Sequence, residues 1–224
     1  MLLSFRFANH RSFRDEQQLN LTPVYAAGSD PAPGDEAVRV VGIFGANASG
    51  KSNTLHALTF MRRFATTSDR EVEPGIGPSR EPFRLDPDYS SQPSRYVVDL
   101  LLDGVRHTYG FSIDNERVLE EWLYHYPMKK RRRVFERDAE TFQWGEESGK
   151  RGELERIAEI TAPTALFLST SARFTHSLKP DKSGFGDPLL DVYQWFRLTR
   201  NRPRPGAQLN EATMIRAWPQ CHVG

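Results

Sequence analysis

The stretch Gly45-Ala46-Asn47-Ala48-Ser49-Gly50-Lys51-Ser52 fits the pattern G-x-x-x-x-G-K-[ST] at every fixed position. No other segment constrains the fold as tightly, because each fixed residue answers a separate chemical demand. Gly45 and Gly50 let the backbone turn sharply with its N–H groups aimed inward, where they ring phosphate oxygens. Lys51 supplies a point charge for β- and γ-phosphates, and the Ser52 hydroxyl is a ligand type suited to Mg²⁺. A helix starting at Lys51 turns the positive end of its dipole toward the same anion.

The flanks supply the context this motif requires. Val38-Arg39-Val40-Val41-Gly42-Ile43-Phe44 is apolar and β-branched, which predicts a buried strand. Leu55, Leu58, Met61 and Phe64 then recur at helical spacing, predicting a helix straight from the Lys-Ser pair. Strand, glycine loop and helix together predict a nucleotide site. No guanine-reading N-K-x-D motif occurs, which favours ATP over GTP.

At 224 residues the chain suits one domain with a sizeable core. Its 38% hydrophobic and 26% charged residues place it with globular rather than disordered chains. A net charge of +1 gives no global pull toward nucleic acid, so any such contact must come from a local patch. The single Cys221 excludes an internal disulfide framework. Met1-Leu-Leu-Ser-Phe-Arg6 meets charge too soon for a signal-peptide core, and no run approaches the ~20 apolar residues of a membrane span. The expected location is cytoplasmic, with no membrane contact.

Alternation over Leu3–Phe7 predicts a first strand, and Gln18–Leu21 a second returning beside it. Residues 26–36 read as an exposed loop, and 68–93, rich in Pro and Gly, as a long irregular connection. An antiparallel meander follows: Tyr96–Leu102, the turn Asp103-Gly104, His107–Ile113, the turn Asp114-Asn115, Val118–Tyr126, a turn at Met128–Arg131, Val134-Phe135 and Phe142–Trp144. Asp-Gly between alternating runs is a strong hairpin signal. Helix returns at Glu153–Ile160, Ala165–Leu168 is an apolar stretch before a polar loop, and Leu189–Phe196 reads as an amphipathic helix. The chain from Asn201 on has little periodicity.

Two pieces together carry a resemblance. Asn9-His10-Arg11-Ser12-Phe13 follows the first strand, and the phosphate loop reads on as Gly-Lys-Ser-Asn53. That pairing resembles the ABC-type ATPase heads of the RecF, SMC and OLD group, and most closely the RecF-like AAA/ABC ATPases often encoded in bacterial anti-phage defence systems. The resemblance covers residues 1 to about 200 and extends to the Pro82–Trp144 meander. It implies an α/β P-loop NTPase of three layers, an ABC-type head with an antiparallel β-meander beside the nucleotide core. It also implies ATP with Mg²⁺, and a homodimer or a partner ATPase or nuclease subunit. The expected organisation is one N-terminal lobe: strands and P-loop helix over 1–67, meander over 82–147, helical segment over 153–200, irregular tail over 201–224.

By this resemblance Arg11 and Ser12 lie beside the nucleotide, joining a shell of Gly45, Ala46, Asn47, Ala48, Ser49, Gly50, Lys51, Ser52 and Asn53, with Ser52 on the metal. His10 departs from the usual Phe, which leaves the packing of that turn open. A larger departure is the lack of a Walker B Asp-Glu and of a signature near Leu-Ser-x-Gly; the expectation is a fold incomplete at its C-terminus. Leu100-Leu-Leu-Asp103 resembles Walker B, but Gly104 stands where the carboxylate belongs, and the hairpin accounts for both.

Lys129-Lys130-Arg131-Arg132-Arg133 is the one dense basic run. It is a candidate for nucleic-acid phosphates, set against a solvated hairpin turn with no aromatic platform interleaved. Tyr124, Tyr126 and Phe135 alternate as strand core would. His56 reads as helix surface, Gln143 as an ordinary strand residue rather than a Mg²⁺-sensing glutamine, and Glu120-Glu121 and Glu146-Glu147 as surface. Six histidines show no metal spacing. Two alternatives of other classes stay open: a non-catalytic, nucleotide-gated interaction module, and a small P-loop kinase using Asp103.

Overall fold

The computed structural model describes residues 1–23, 37–38, 40–71, 73, 76–145, 151–174 and 187–199. The loop expected over 26–36, the pair Glu146-Glu147 and the tail from Asn201 lie outside the described residues.

Seven strands form one sheet in the order β2-β1-β3-β4-β5-β6-β7, every neighbour antiparallel. They are β1 (Leu2–Ala8), β2 (Gln17–Asn20), β3 (Ser94–Leu102), β4 (Val105–Ile113), β5 (Val118–Tyr126), β6 (Arg132–Asp138) and β7 (Thr141–Trp144). The meander is thus longer at most ends than its alternation suggested, and it extends through β1 and β2. At the β3–β4 tip Asp103 and Gly104 both take positive φ, 47° and 76°, as a two-residue type I′ hairpin turn needs.

Helices α1 (Lys51–Thr67), α4 (Phe167–Phe174) and α5 (Pro188–Leu198) cover one face of the sheet. Phe64 meets Phe111, Phe196 meets Tyr109, and Phe167 meets Phe135, at ring separations of 5.5, 5.7 and 4.9 Å. These aromatic contacts bury odd-numbered residues of β4 and β6, so strand period and helix period converge on one core. Short α2 (Pro87–Ser91) and α3 (Arg151–Glu159) complete the helices. The described residues therefore make two layers, where the sequence led us to expect three.

Three other expectations are corrected. Val38 and Val40–Phe44 form no strand: Val40 is 70% and Phe44 94% exposed, and only the Val38 N–H reaches a neighbour, Leu21 O at 2.7 Å. A β-branched run becomes a buried strand only where a sheet receives it, and none of the seven strands pairs with this one. The polar loop expected after Leu168 is instead α4, whose Ser169, Thr170 and Ser171 are buried and hydrogen-bonded. Glu121 is not surface. It is fully buried, accepting from the Phe167 and Leu168 N–H groups at 2.6 and 3.0 Å and from the Tyr109 hydroxyl at 2.9 Å. It thus caps the start of α4.

Candidate nucleotide-binding site

The glycine loop enters α1 through Gly50, whose φ of 96° only glycine adopts without strain. No side chain caps the helix start and its first turn holds no acidic residue. The positive helix end therefore faces outward unopposed. Gly45 lies close to the Ser49 side chain: a Cβ there would come within 2.7 Å of Ser49 Oγ, which would have to turn away. Lys51 Nζ donates to the carbonyls of Gly45 and Ala46, both at 2.7 Å. The ammonium thus folds over its own loop, and those two carbonyls are exposed partners that a phosphate readily displaces.

The turn after β1 lies along the beginning of α1. The Phe13 ring packs on Gly50, Asn53 Nδ2 donates to Ser12 Oγ at 2.7 Å, and His10 Nε2 meets His56 Nδ1 at 3.0 Å. Positions 50, 53 and 56 share one helix face, so three consecutive contacts zip the turn to the helix. Asn9 and Arg11 hold positive φ to make this possible. Asn9 is secured by its side-chain amide, which donates to Tyr89 O and Gln92 O and accepts from Phe83 N. Arg11, at the centre of the turn, donates through Nε and Nη2 to the two Glu81 carboxylate oxygens at 2.8 and 3.0 Å.

His56 therefore is not mere helix surface. Its ring stacks on His10 (5.3 Å, 27°) and its Nε2 lies 3.7 Å from Glu81 Oε1. His10 is fully buried, and desolvation, aided by the nearby His56 and Arg11, lowers its pKa to about 4. Desolvation and Arg11 lower His56 as well. Glu81 is held below the usual carboxylate range by its bond to Arg11. The sequence signal for this cluster was the very departure noted above, His10 in place of an aromatic.

Arg11, Ser12, Gly50, Lys51 and Asn53 come together, whereas Asp103 stays apart. It sits at the far end of β3 from Tyr96, the strand residue bonded to His10. Six residues of strand amount to roughly 20 Å, so Asp103 is a hairpin residue and no Walker B. Gln143 accepts from Arg133 at 2.8 Å within the sheet, as an ordinary strand residue does. Among the described residues no group of three or more His, Cys, Asp or Glu side chains can hold a metal ion.

Lys129, Lys130 and Arg131 are exposed. Contrary to the expectation of bare charge, aromatic rings are interleaved: Arg131 lies 3.8 Å over the Tyr124 ring and Arg106 5.2 Å over Tyr126. Both tyrosines are half-buried on the sheet face opposite the helices, and only Phe135 is core. Arg131 and Arg133 share Glu136 at 3.7 and 3.0 Å, so much of their charge is offset locally.

Residues 40–211 match the protein family described as "AAA domain, putative AbiEii toxin, Type IV TA system". The chain belongs to this family. The matched span contains the whole phosphate loop and α1, and an AAA domain is a nucleotide-binding module of ATPase type. ATP is therefore the ligand that the family supports, typically with Mg²⁺. No curated protein matches the chain. No helix among the described residues is long and apolar enough to cross a membrane.

Proposed function

We propose that this AAA domain binds Mg-ATP through Gly45, Ala46, Asn47, Ala48, Ser49, Gly50, Lys51, Ser52 and Asn53, with Arg11 and Ser12 flanking the nucleotide and the Ser52 hydroxyl on the metal. The observation that carries this reading is the uncapped start of α1, with Lys51 folded over carbonyls from which phosphate would release it. The domain would serve as one half of a RecF-like ATPase head in the cytoplasm, closing on a second copy or a partner ATPase or nuclease subunit. The exposed Val40–Phe44 run supports this, since an unpaired β-branched segment beside a P-loop is suited to receiving a neighbouring strand. A role in anti-phage defence would follow from such a partnership.

The tyrosine-backed arginines at 131 and 106, with Lys129 and Lys130, favour nucleic acid as what the head acts on. Stacked arginine and aromatic faces accept bases and phosphates together. The non-catalytic, nucleotide-gated module remains the second reading, favoured by Glu81 having both carboxylate oxygens committed to Arg11.

Calorimetric titration with Mg-ATP tests the site. Lys51→Ala removes a charge-assisted contact to phosphate and should weaken binding roughly 10- to 100-fold. Its two structural bonds are exposed, so the melting temperature should hold. Unchanged affinity refutes the assignment.

A further inference from the structure

Glu81 presents an apparent paradox: a carboxylate beside a site for polyanions should weaken binding by simple charge repulsion. Its geometry points the other way. The bidentate bond uses the Nε and Nη2 edge of Arg11 and leaves the Nη1 edge, with both its N–H groups, open. The Arg11 backbone N–H also donates to Glu81 O at 2.8 Å, so one residue fixes both ends of the arginine. Arg11 sits between His10 and Ser12, each bonded to α1, and its side chain is only one-third exposed. A guanidinium otherwise free to sample many rotamers is thereby aimed from the turn across the first turns of the P-loop helix.

We propose that Glu81 and His56 are positioning residues for nucleotide binding, holding the Arg11 guanidinium in one orientation at the mouth of the phosphate loop. The inference rests on the reading of Arg11 as a nucleotide-flanking residue and adds what makes that residue effective. His56 contributes by contact: its Nδ1 is hydrogen-bonded to His10 Nε2 at 3.0 Å, and its Nε2 lies 3.7 Å from Glu81 Oε1, beyond hydrogen-bond length. A carboxylate 3.7 Å from His56 Nε2 favours the tautomer with its proton on that nitrogen, which leaves Nδ1 as an acceptor. In that tautomer His10 Nε2 donates to it, and His10 Nδ1 accepts from the Tyr96 hydroxyl at 2.8 Å. Tyr96 is fully buried on β3, and its pKa is held well above its ordinary value by desolvation, so it keeps the proton it donates. Hydrogen bonds link Tyr96, His10 and His56, a 3.7 Å contact carries His56 to Glu81, and the bidentate bond completes the path to Arg11, from the sheet core to the exposed turn. Its position is set by the core at one end and expressed at the nucleotide at the other.

The other charged groups around it are Arg63 on α1, which adds to the lowering of the His56 pKa, and Arg80, near Tyr96. Neither contacts the Arg11–Glu81 pair. Arg80 is engaged by Asn115, Ser94 and the Ser90 and Gln92 carbonyls. Arg63 pairs with Glu71 at 3.4 Å.

The test is Mg-ATP titration of Arg11→Ala, Glu81→Gln, His56→Asn and the double variant Arg11→Ala/Glu81→Gln, with thermal melts as control. Asn at 56 keeps an acceptor for His10 and loses the contact to Glu81. Freeing one long side chain costs binding about two- to tenfold, so Glu81→Gln should weaken ATP by that factor although it removes a repelling charge. His56→Asn should weaken it in the same direction by less. The double variant should bind no worse than Arg11→Ala alone, because Glu81 acts through Arg11. A stability role cannot produce that non-additivity. If Glu81→Gln or His56→Asn binds as tightly as wild type, or tighter, while Arg11→Ala is weakened, positioning is overturned and the Arg11 reading survives. If Arg11→Ala binds like wild type while Lys51→Ala fails, the Arg11 reading itself falls and the inference with it.

Discussion

The ring of Phe13 occupies the space that a side chain on Gly50 would need: a Cβ there would come within 2.4 Å of Phe13 Cζ. Gly50 is thus fixed twice, by its φ of 96° and by the docked turn. Gly50→Ala should lose roughly 1–2 kcal/mol to the backbone conformation alone and more to the clash. Adding Phe13→Ala should relieve only the clash, so the pair remains less stable than Phe13→Ala by itself. Denaturant melts of the three variants check this; full recovery in the double variant would mean the backbone strain is absent.

Asp103 and Gly104 provide the converse case, a motif-like pair with no role at the nucleotide. Gly104 has open space around it, so Gly104→Ala meets only the penalty of positive φ and should destabilise by roughly 1 kcal/mol. Asp103→Ala should likewise lower stability while leaving Mg-ATP affinity unchanged. A loss of affinity in Asp103→Ala without a loss of stability would revive the kinase reading.

These two turns show which features were legible in the sequence. Local signals held: the glycine loop, the helix from Lys51, and the Asp-Gly hairpin each depend on residues within a few positions of one another. What failed depended on distant neighbours. Val40–Phe44 has the composition of a buried strand, but burial requires a sheet beside it, and composition cannot supply one. Glu121 reads as surface because a lone carboxylate usually is; it is buried here because α4 presents two N–H groups and β6 presents Arg137. His56 could be recognised only once β1 delivered His10 against it.

The Glu121–Arg137 pair should be costly to break. Both side chains are almost wholly buried, with Arg137 Nη1 3.8 Å from the carboxylate and 2.7 Å from Ala165 O. Removing one partner strands the other charge in the core, typically a loss of about 3–5 kcal/mol. Glu121→Ala should therefore unfold at much lower denaturant than wild type, whereas Glu120→Ala, one position away and exposed, should melt normally. Equal midpoints would show that the capping role is not needed.

Acid should weaken the fold before carboxylates titrate broadly. His10 and His107 are buried neutral, their pKa values lowered from 6.5 to about 4 mainly by desolvation. The unfolded chain takes up protons from pH 6.5 downward while the folded chain resists until about 4. The stability they contribute is whole above 6.5 and is lost as pH falls through that window. The ceiling is roughly 3 kcal/mol for each histidine. Asp191 runs the other way: burial, with Asp187 and Asp103 nearby, raises it to about 6, so its protonation favours the folded form between pH 6 and 3.8. Denaturation midpoints across pH 4–7.5 should fall toward acid. His107→Leu should flatten the slope, and Asp191→Asn should stabilise at pH 7.5 but not at pH 4. A pH-independent midpoint would rule out buried neutral histidines.

Binding and turnover should separate in this chain. Phosphoryl transfer is almost entirely positioning and charge stabilisation, and the attacking water needs its own orienting group. Around the loop, the described residues provide cations, helix N–H groups and a hydroxyl, all of which serve the phosphates. Glu81, the carboxylate that the described residues place beside the turn, is already committed to Arg11 through both oxygens. Asp103 is roughly 20 Å along β3 from Tyr96, and Glu121 is sealed in the core. Mg-ATP should therefore bind while hydrolysis by the purified chain stays far below the ~1 per second of ordinary ATPases. Adding a partner that pairs with Val40–Phe44 and brings a carboxylate should raise the rate without a comparable gain in affinity. A phosphate-release assay on the chain alone decides the matter: turnover at one per second or faster would mean that a catalytic carboxylate already reaches the loop.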